Sequence, residues 1–241
     1  MTDSPALFNK KYTHSKEALF KGLEEKLSGY NLEIFEASED GYLVSKDDET
    51  MSGWVNNVYT VHEDDRVENI MLFDTETSHL GGYVISFAGI LYSLSQKKIL
   101  KKFYAEINPG VKIDPEATAK SHGMTDQDVA DCPSFDSIAD KVVDALNWAD
   151  VLVAHNPLYD IEILMLEFSR LKREIKIPPY LDTMRRLKHL VKAKNSAGHL
   201  KDPKLEEAAD FFNIPQDKSK LHNALYDTEI LTEVFIKSLD L

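Results

Sequence analysis

With one cysteine in 241 residues, the chain has no partner for an internal disulfide, a composition that suits a reducing compartment, and a cytoplasmic location is expected. Cys132 itself reads as a small, half-buried side chain. Long apolar runs are also lacking. The uncharged stretch 77–96 is broken by Ser, His, Thr and Gly, which excludes a membrane span there, and no basic-then-apolar leader opens the sequence, so no membrane partner is expected. Positive charge is in deficit as well. A net charge of -13 argues against the broad basic face of a tight duplex binder. It leaves room for nucleic-acid chemistry, because bound divalent ions neutralise local carboxylates.

What is present is ordinary for a globular protein: 43% hydrophobic and 29% charged residues, enough for one substantial core with a small appendage. The charge is uneven. Residues 1–66 are acid-rich, whereas a later stretch carries Arg170, Lys172, Arg173, Lys176, Arg185, Arg186, Lys188, Lys192 and Lys194. Those cations read either as a solvated helix surface or as a path for a phosphate backbone.

Two patterns divide the chain. Ser15 can cap a helix to about Ser28, with Leu19, Leu23 and Leu27 on one stripe; Leu32 to Phe35, Tyr42 to Ser45 and Trp54 to Val61 then read as a three-stranded meander. From residue 67 onward, strands near 70–75, 83–92 and 99–107 succeed one another closely enough for antiparallel pairing. Short strands at 151–154 and 180–182 alternate with helices near 134–147, 159–172, 184–191, 204–212 and 224–239. The expected architecture is α/β, a mixed sheet flanked by helices (67–241), preceded by a small α+β extension or accessory domain (1–66).

The apolar run Ile70-Met71-Leu72-Phe73 ends in Asp74 and Glu76. A strand has a period of two, so both carboxylates share a face, where they repel unless protonated or bridged by a cation. Asp160 follows the strand Val151–Ala154 in or near the first turn of the next helix, a position that also suits a simple helix cap. Asp227 lies within the apolar pattern of the final helix, a poor place for an unpaired carboxylate, and His222 precedes that helix at its mouth. Hard oxygen donors without a cysteine cluster favour two divalent ions, Mg²⁺ or Mn²⁺, over structural zinc. Such a pair suits phosphodiester hydrolysis, with His222 as a candidate to take the proton of the attacking water.

The segments Phe73-Asp74-Thr75-Glu76-Thr77, His155-Asn156-Pro157-Leu158-Tyr159-Asp160 and His222-Asn223-Ala224-Leu225-Tyr226-Asp227 resemble the three motifs of the DEDDh 3'-5' exonuclease family, with spacing most similar to its polymerase-associated proofreading branch. The resemblance covers about residues 69–240. It implies an RNase H-like fold and release of nucleoside 5'-monophosphates from the 3' end of single-stranded nucleic acid, DNA in the first instance. RNA trimming, as by RNase T-like or oligoribonuclease-like enzymes, is the alternative, and a catalytically idle binding module on the same fold is a further one. By the same resemblance Asp74, Glu76, Asp160 and Asp227 bind the metals and take part in catalysis with His222 as base. Thr75, Thr77, His122, Met124 and Asn156 are candidates to meet the substrate. Where many members follow the first motif with Thr-Gly, this chain has Ser78-His79-Leu80-Gly81-Gly82, so the loop beside the 3' end is expected to differ in shape. A polymerase or other protein docking through residues 1–66, and homodimerisation, are compatible with the resemblance.

Overall fold

The computed structural model describes residues 32–38, 41–46, 54–55 and 67–239. The chain divides into two units, Met1–Arg66 and Val67–Leu241. In the first, β1 (Leu32–Ser38) and β2 (Gly41–Lys46) pair antiparallel, with an irregularity between Ile34 and Glu36, and β3 (Trp54–Val55) adds to β2 through Leu43 and Trp54. The helix expected near 15–28 and the continuation of β3 to Val61 lie outside the described residues.

The second unit is built on β4 (Asn69–Thr77), β5 (Val84–Ser93), β6 (Lys98–Glu106), β7 (Val151–Ala154) and β8 (Tyr180–Asp182), a five-stranded sheet in the order β6-β5-β4-β7-β8. The β4–β5 and β5–β6 pairs are antiparallel, and β4–β7 and β7–β8 are parallel, so the sheet is mixed. Its helices are α1 (Pro115–Lys120), α2 (Asp126–Val129), α3 (Asp136–Trp148), α4 (Pro157–Arg170), α5 (Thr183–Val191), α6 (Leu205–Phe211) and α7 (Ala224–Ser238). This is an RNase H-like arrangement, and it brings the carboxyl ends of β4, β7 and β8 to one edge.

Helices cover both faces of the sheet, which is why Ile70–Phe73 reads as an unbroken apolar run. Met71 and Phe73 pack with Ala139, Val142 and Leu146 of α3 and with Leu164 and Phe168 of α4. The other face meets α7: Tyr92, paired with Ile70 across the ladder, places its ring edge-on to Phe235 at 6.3 Å. Burying side chains of this size contributes about 1.5–3 kcal/mol each. Gly89 is opposite Phe103, whose ring lies flat over it; a Cβ at Gly89 would come within 2.1 Å of the ring. That space lets Phe103 stack on Phe87 at 5.6 Å.

Two helices are not evident from apolar periodicity. α1 begins at Asp114, whose side chain accepts the Glu116 amide hydrogen, with Pro115 in the first turn; α2 begins at Thr125 with a reciprocal box to Asp128. Both are too short to show a helical stripe. No helix among the described residues is long and apolar enough to cross a membrane.

Candidate active site

Asp74 and Glu76 project from the same face of β4 near its carboxyl end, and the β4–β5 register shifts immediately afterwards, between Glu76 and Thr77. A bulge at that point turns the chain and re-aims the side chains beyond it. The parallel pairing of β4 with β7 stops at Leu72–Val153. Past that pair the Thr75 amide and hydroxyl both donate to Asp160 Oδ1, at 3.0 and 2.7 Å, so a carboxylate from the first turn of α4 substitutes for the missing strand. Asp160 is thereby held at 4% exposure.

Asp227 sits in the first turn of α7. Its Oδ2 accepts the His222 amide hydrogen at 2.9 Å, and Asn223 Oδ1 caps the helix by accepting the Tyr226 amide hydrogen at 3.1 Å. His222 is exposed and left-handed, with φ of 63°, which swings its ring back over the helix mouth. Glu76, His222 and Asp227 each offer a ligand atom, and those atoms lie within 4.8 Å of one another.

Crowding acidic groups out of water raises their proton affinity. Burial first, then Asp160, Glu76 and Asp227, pushes the Asp74 carboxyl well above the ordinary carboxylate range. Glu76 is pushed up to about 8 by burial, Asp227 and Asp160, against a hydrogen bond from Ser121. Asp160 rises to about 7 through burial, despite the two bonds from Thr75. Asp227 rises to about 6 through burial, with His222 pulling it down and Glu206 pushing it up.

The residues fit a metal centre on two observations. Asp227 Oδ1 is buried and has no hydrogen-bond partner among the described residues. The donor set is carboxylate oxygen and imidazole nitrogen, which suits a hard divalent ion. Asp74, Glu76, Asp160 and Asp227 are the groups that would hold it.

The other candidates fall around this centre in different ways. Thr75 directs both its donors at Asp160. The Thr77 hydroxyl meets the Tyr159 hydroxyl at 2.8 Å. His122 is half-buried, close enough to the Thr77 backbone and to His222 for both to act on it; burial chiefly lowers its proton affinity. Its Nδ1 accepts the Met124 amide hydrogen at 3.0 Å. Met124 packs against the cluster of Ile85, Ile113 and Val129. Asn156 is exposed and left-handed, with φ of 80°, and its amide donates to Asp182 Oδ1 at 3.2 Å as α4 begins.

Tyr104 and Tyr159 were not singled out by sequence. Tyr104 donates to Glu106 at 3.0 Å and interacts with Asn223 and Ser86; burial and Glu106 push its hydroxyl up to about 12. Only strand pairing reveals it, since Ser86 is opposite both Glu76 and Glu106. Tyr159 carried a weak signal, an aromatic directly before Asp160. The loop after β4 is braced from α4: Glu167 accepts the Val84 amide hydrogen at 2.9 Å and pairs with Arg170, which lies over the Tyr83 ring at 3.6 Å.

A mixed sheet with acidic side chains gathered at the carboxyl ends of its central strands defines a metal-dependent nuclease of the RNase H-like type. The chain belongs to the RNase T-type exonuclease family, whose model, described as exonuclease, matches residues 71–235. It is 30% identical over 173 residues to DNA polymerase III subunit epsilon of Escherichia coli (strain K12), covering 69% of each chain. The chain spans about two thirds of the length of such relatives, 66% of the Pasteurella multocida epsilon subunit. The fold is shared with exonuclease X, solved with 5' overhanging duplex DNA (TM-score 0.54, 21% identity, 71% of this chain and 91% of that one). It is shared also with the nuclease domain of 3'hExo, a DEDDh family member bound to rAMP (TM-score 0.57, 17% identity, 73% and 94%).

Proposed function

We propose that residues 67–241 are a 3'-5' exonuclease that removes nucleotides from the 3' end of single-stranded nucleic acid, DNA in preference to RNA. The observation that carries the reading is the convergence of Glu76, His222 and Asp227 within 4.8 Å beside two further buried or half-buried carboxylates, Asp74 and Asp160. Membership of the exonuclease family supports the reaction class, and the epsilon subunits support DNA.

In this reading Asp74, Glu76 and Asp227 would hold one divalent ion, and Asp74 with Asp160 would hold a second. Mg²⁺ or Mn²⁺ bound there supplies Lewis acidity to the scissile phosphate. His222, tethered through its amide to Asp227 and exposed at the helix mouth, takes a proton from the attacking water. The new bond is from the water oxygen to phosphorus; the bond from phosphorus to the 3' oxygen breaks. That oxygen takes up a proton from solvent water and remains on the shortened strand as its new 3'-hydroxyl, and a nucleoside 5'-monophosphate is released. Residues 1–66 lie outside the family match, and we assign them to contact with a polymerase or another protein.

The test is hydrolysis of DNA and RNA oligonucleotides labelled at the 5' end, with Mg²⁺ or Mn²⁺. A ladder of labelled products shortening one nucleotide at a time, faster on DNA, is expected. Cleavage of circular single-stranded DNA, or no hydrolysis of either polymer, would overturn the reading.

A further inference from the structure

Free positive charge near the site is scarcer than the sequence suggests. Arg170 is bound to Glu167 at 2.8 Å, Arg173 to Asp140 at 2.7 Å and Arg185 to Asp182 at 3.5 Å. Arg186 donates to the Ser238 carbonyl at 3.0 Å, which anchors the end of α7. Lys172 and Lys176 follow the C-terminus of α4, a helix of 14 residues that starts at the carboxyl end of β7 and runs away from it. At about 1.5 Å per residue, that carries them to the far edge of the sheet from the carboxylates.

Lys192 and Lys194 differ. Both are exposed, and neither has an ion-pair partner among the described residues. They open a hairpin in which Lys194 bridges to Leu200 and the Lys201 amide donates to the Ala193 carbonyl at 2.9 Å. Asn195 closes its turn, Oδ1 accepting the Ala197 and His199 amide hydrogens at 3.0 and 2.9 Å. The base is fastened beside the site. Lys188 pairs with Asp202 at 2.9 Å, and the Pro203 carbonyl meets His155 Nε2 at 2.8 Å. His155 directly follows β7, and its Nδ1 meets the Thr183 hydroxyl at the start of α5 at 2.9 Å. Just beyond Pro203, Glu206 is near enough to act on the charge of Asp227.

We propose that this hairpin, residues 192–201, is a phosphate track: Lys192 and Lys194 contact the backbone of the single strand whose 3' end occupies the carboxylate site. The proposal rests on the exonuclease reading for the direction of the strand. Contacts of this kind are blind to sequence and count only when the strand is long enough to reach them. In an otherwise acidic unit they also supply the attraction that the carboxylates withhold.

The experiment replaces both residues, Lys192→Gln with Lys194→Gln, in the full chain. Binding of a 5'-labelled oligo-dT strand is followed by fluorescence anisotropy across salt, with Ca²⁺ as the divalent ion, and hydrolysis of a dinucleotide is measured in parallel with Mg²⁺. Each lost phosphate contact on a single strand reduces the salt slope by about 0.7, so the variant's slope falls by about 1.4. Between about 50 and 200 mM salt its affinity should therefore drop by a factor about sevenfold smaller than the parent's. Dinucleotide hydrolysis should be unchanged. An unaltered Kd and slope would overturn the track, as would an equal loss on the dinucleotide, which would mark damage to the site. If the parent binds the strand with the larger slope but hydrolyses neither substrate, the exonuclease reading falls and the track stands.

Discussion

A threonine that gives both its donors to one carboxylate oxygen holds that carboxylate in a single orientation. Asp160 depends on Thr75 in this way, and the bond crosses 85 residues of sequence. Thr75→Val keeps the side-chain shape and the amide but removes the hydroxyl. The expected result is a loss of about 10–100-fold in Mn²⁺ affinity or turnover, the usual cost of removing a group that orients a ligand. Calorimetric titration with Mn²⁺ checks it, and an unchanged isotherm would free Thr75 for another role. His222→Ala asks a different question. If its ring takes the proton, the rate should fall by about 10²–10⁴-fold while Asp74→Ala abolishes turnover; a normal single-turnover rate would remove His222 as base. At this scale the sequence was informative for a geometric reason. Strand periodicity alone puts Asp74 and Glu76 on one face, whereas the Thr75–Asp160 and Tyr104–Asn223 contacts depend on which strands become neighbours.

Elements with a strong apolar pattern were legible to within a few residues. β7 and β8 fall at 151–154 and 180–182, as four-residue and three-residue strands, because turn-forming segments bracket them tightly. α1 and α2 escaped because helices of 6 and 4 residues leave no stripe, although their caps, Asp114-Pro115 and Thr125 with Asp128, were written in the sequence. The ladder of β5 and β6 offers a sharper test of packing at this scale. Gly89 is the floor beneath the Phe103 ring, where an added Cβ would lie 2.1 Å from Cζ. Gly89→Ala must move a ring stacked on Phe87 within the main cluster, so a destabilisation of about 1–3 kcal/mol is expected. Urea denaturation gives the number. Because β5 also carries Ser86 opposite Glu76, a loss of Mn²⁺ affinity should accompany it.

Across the whole second unit, the site stores electrostatic repulsion that the rest of the fold sustains. Burial and repulsion from acidic neighbours push the Glu76, Asp160 and Asp227 carboxyls up to about 8, 7 and 6, each above the ordinary carboxylate value. An unfolded chain releases those protons near about pH 4, so between that pH and about 8 the folded protein binds more protons than the unfolded one. Their contribution to stability is therefore complete below about pH 4 and is lost as pH rises through 6 to 8. Glu207 runs the other way: burial raises it, but Lys201 and Lys204 outweigh burial and hold its carboxyl low, so its contribution is present above the unfolded value and disappears in acid. Together these signs place the stability maximum of the metal-free protein on the mildly acidic side. Thermal unfolding in EDTA should give a lower Tm at about pH 8 than at about pH 5. Mn²⁺ should raise Tm more at the higher pH, because there it replaces no protons and relieves the repulsion directly. A Tm in EDTA that rises from pH 5 to 8 would mean that these carboxylates do not crowd one another in solution, and the cation would lose its physical reason to bind.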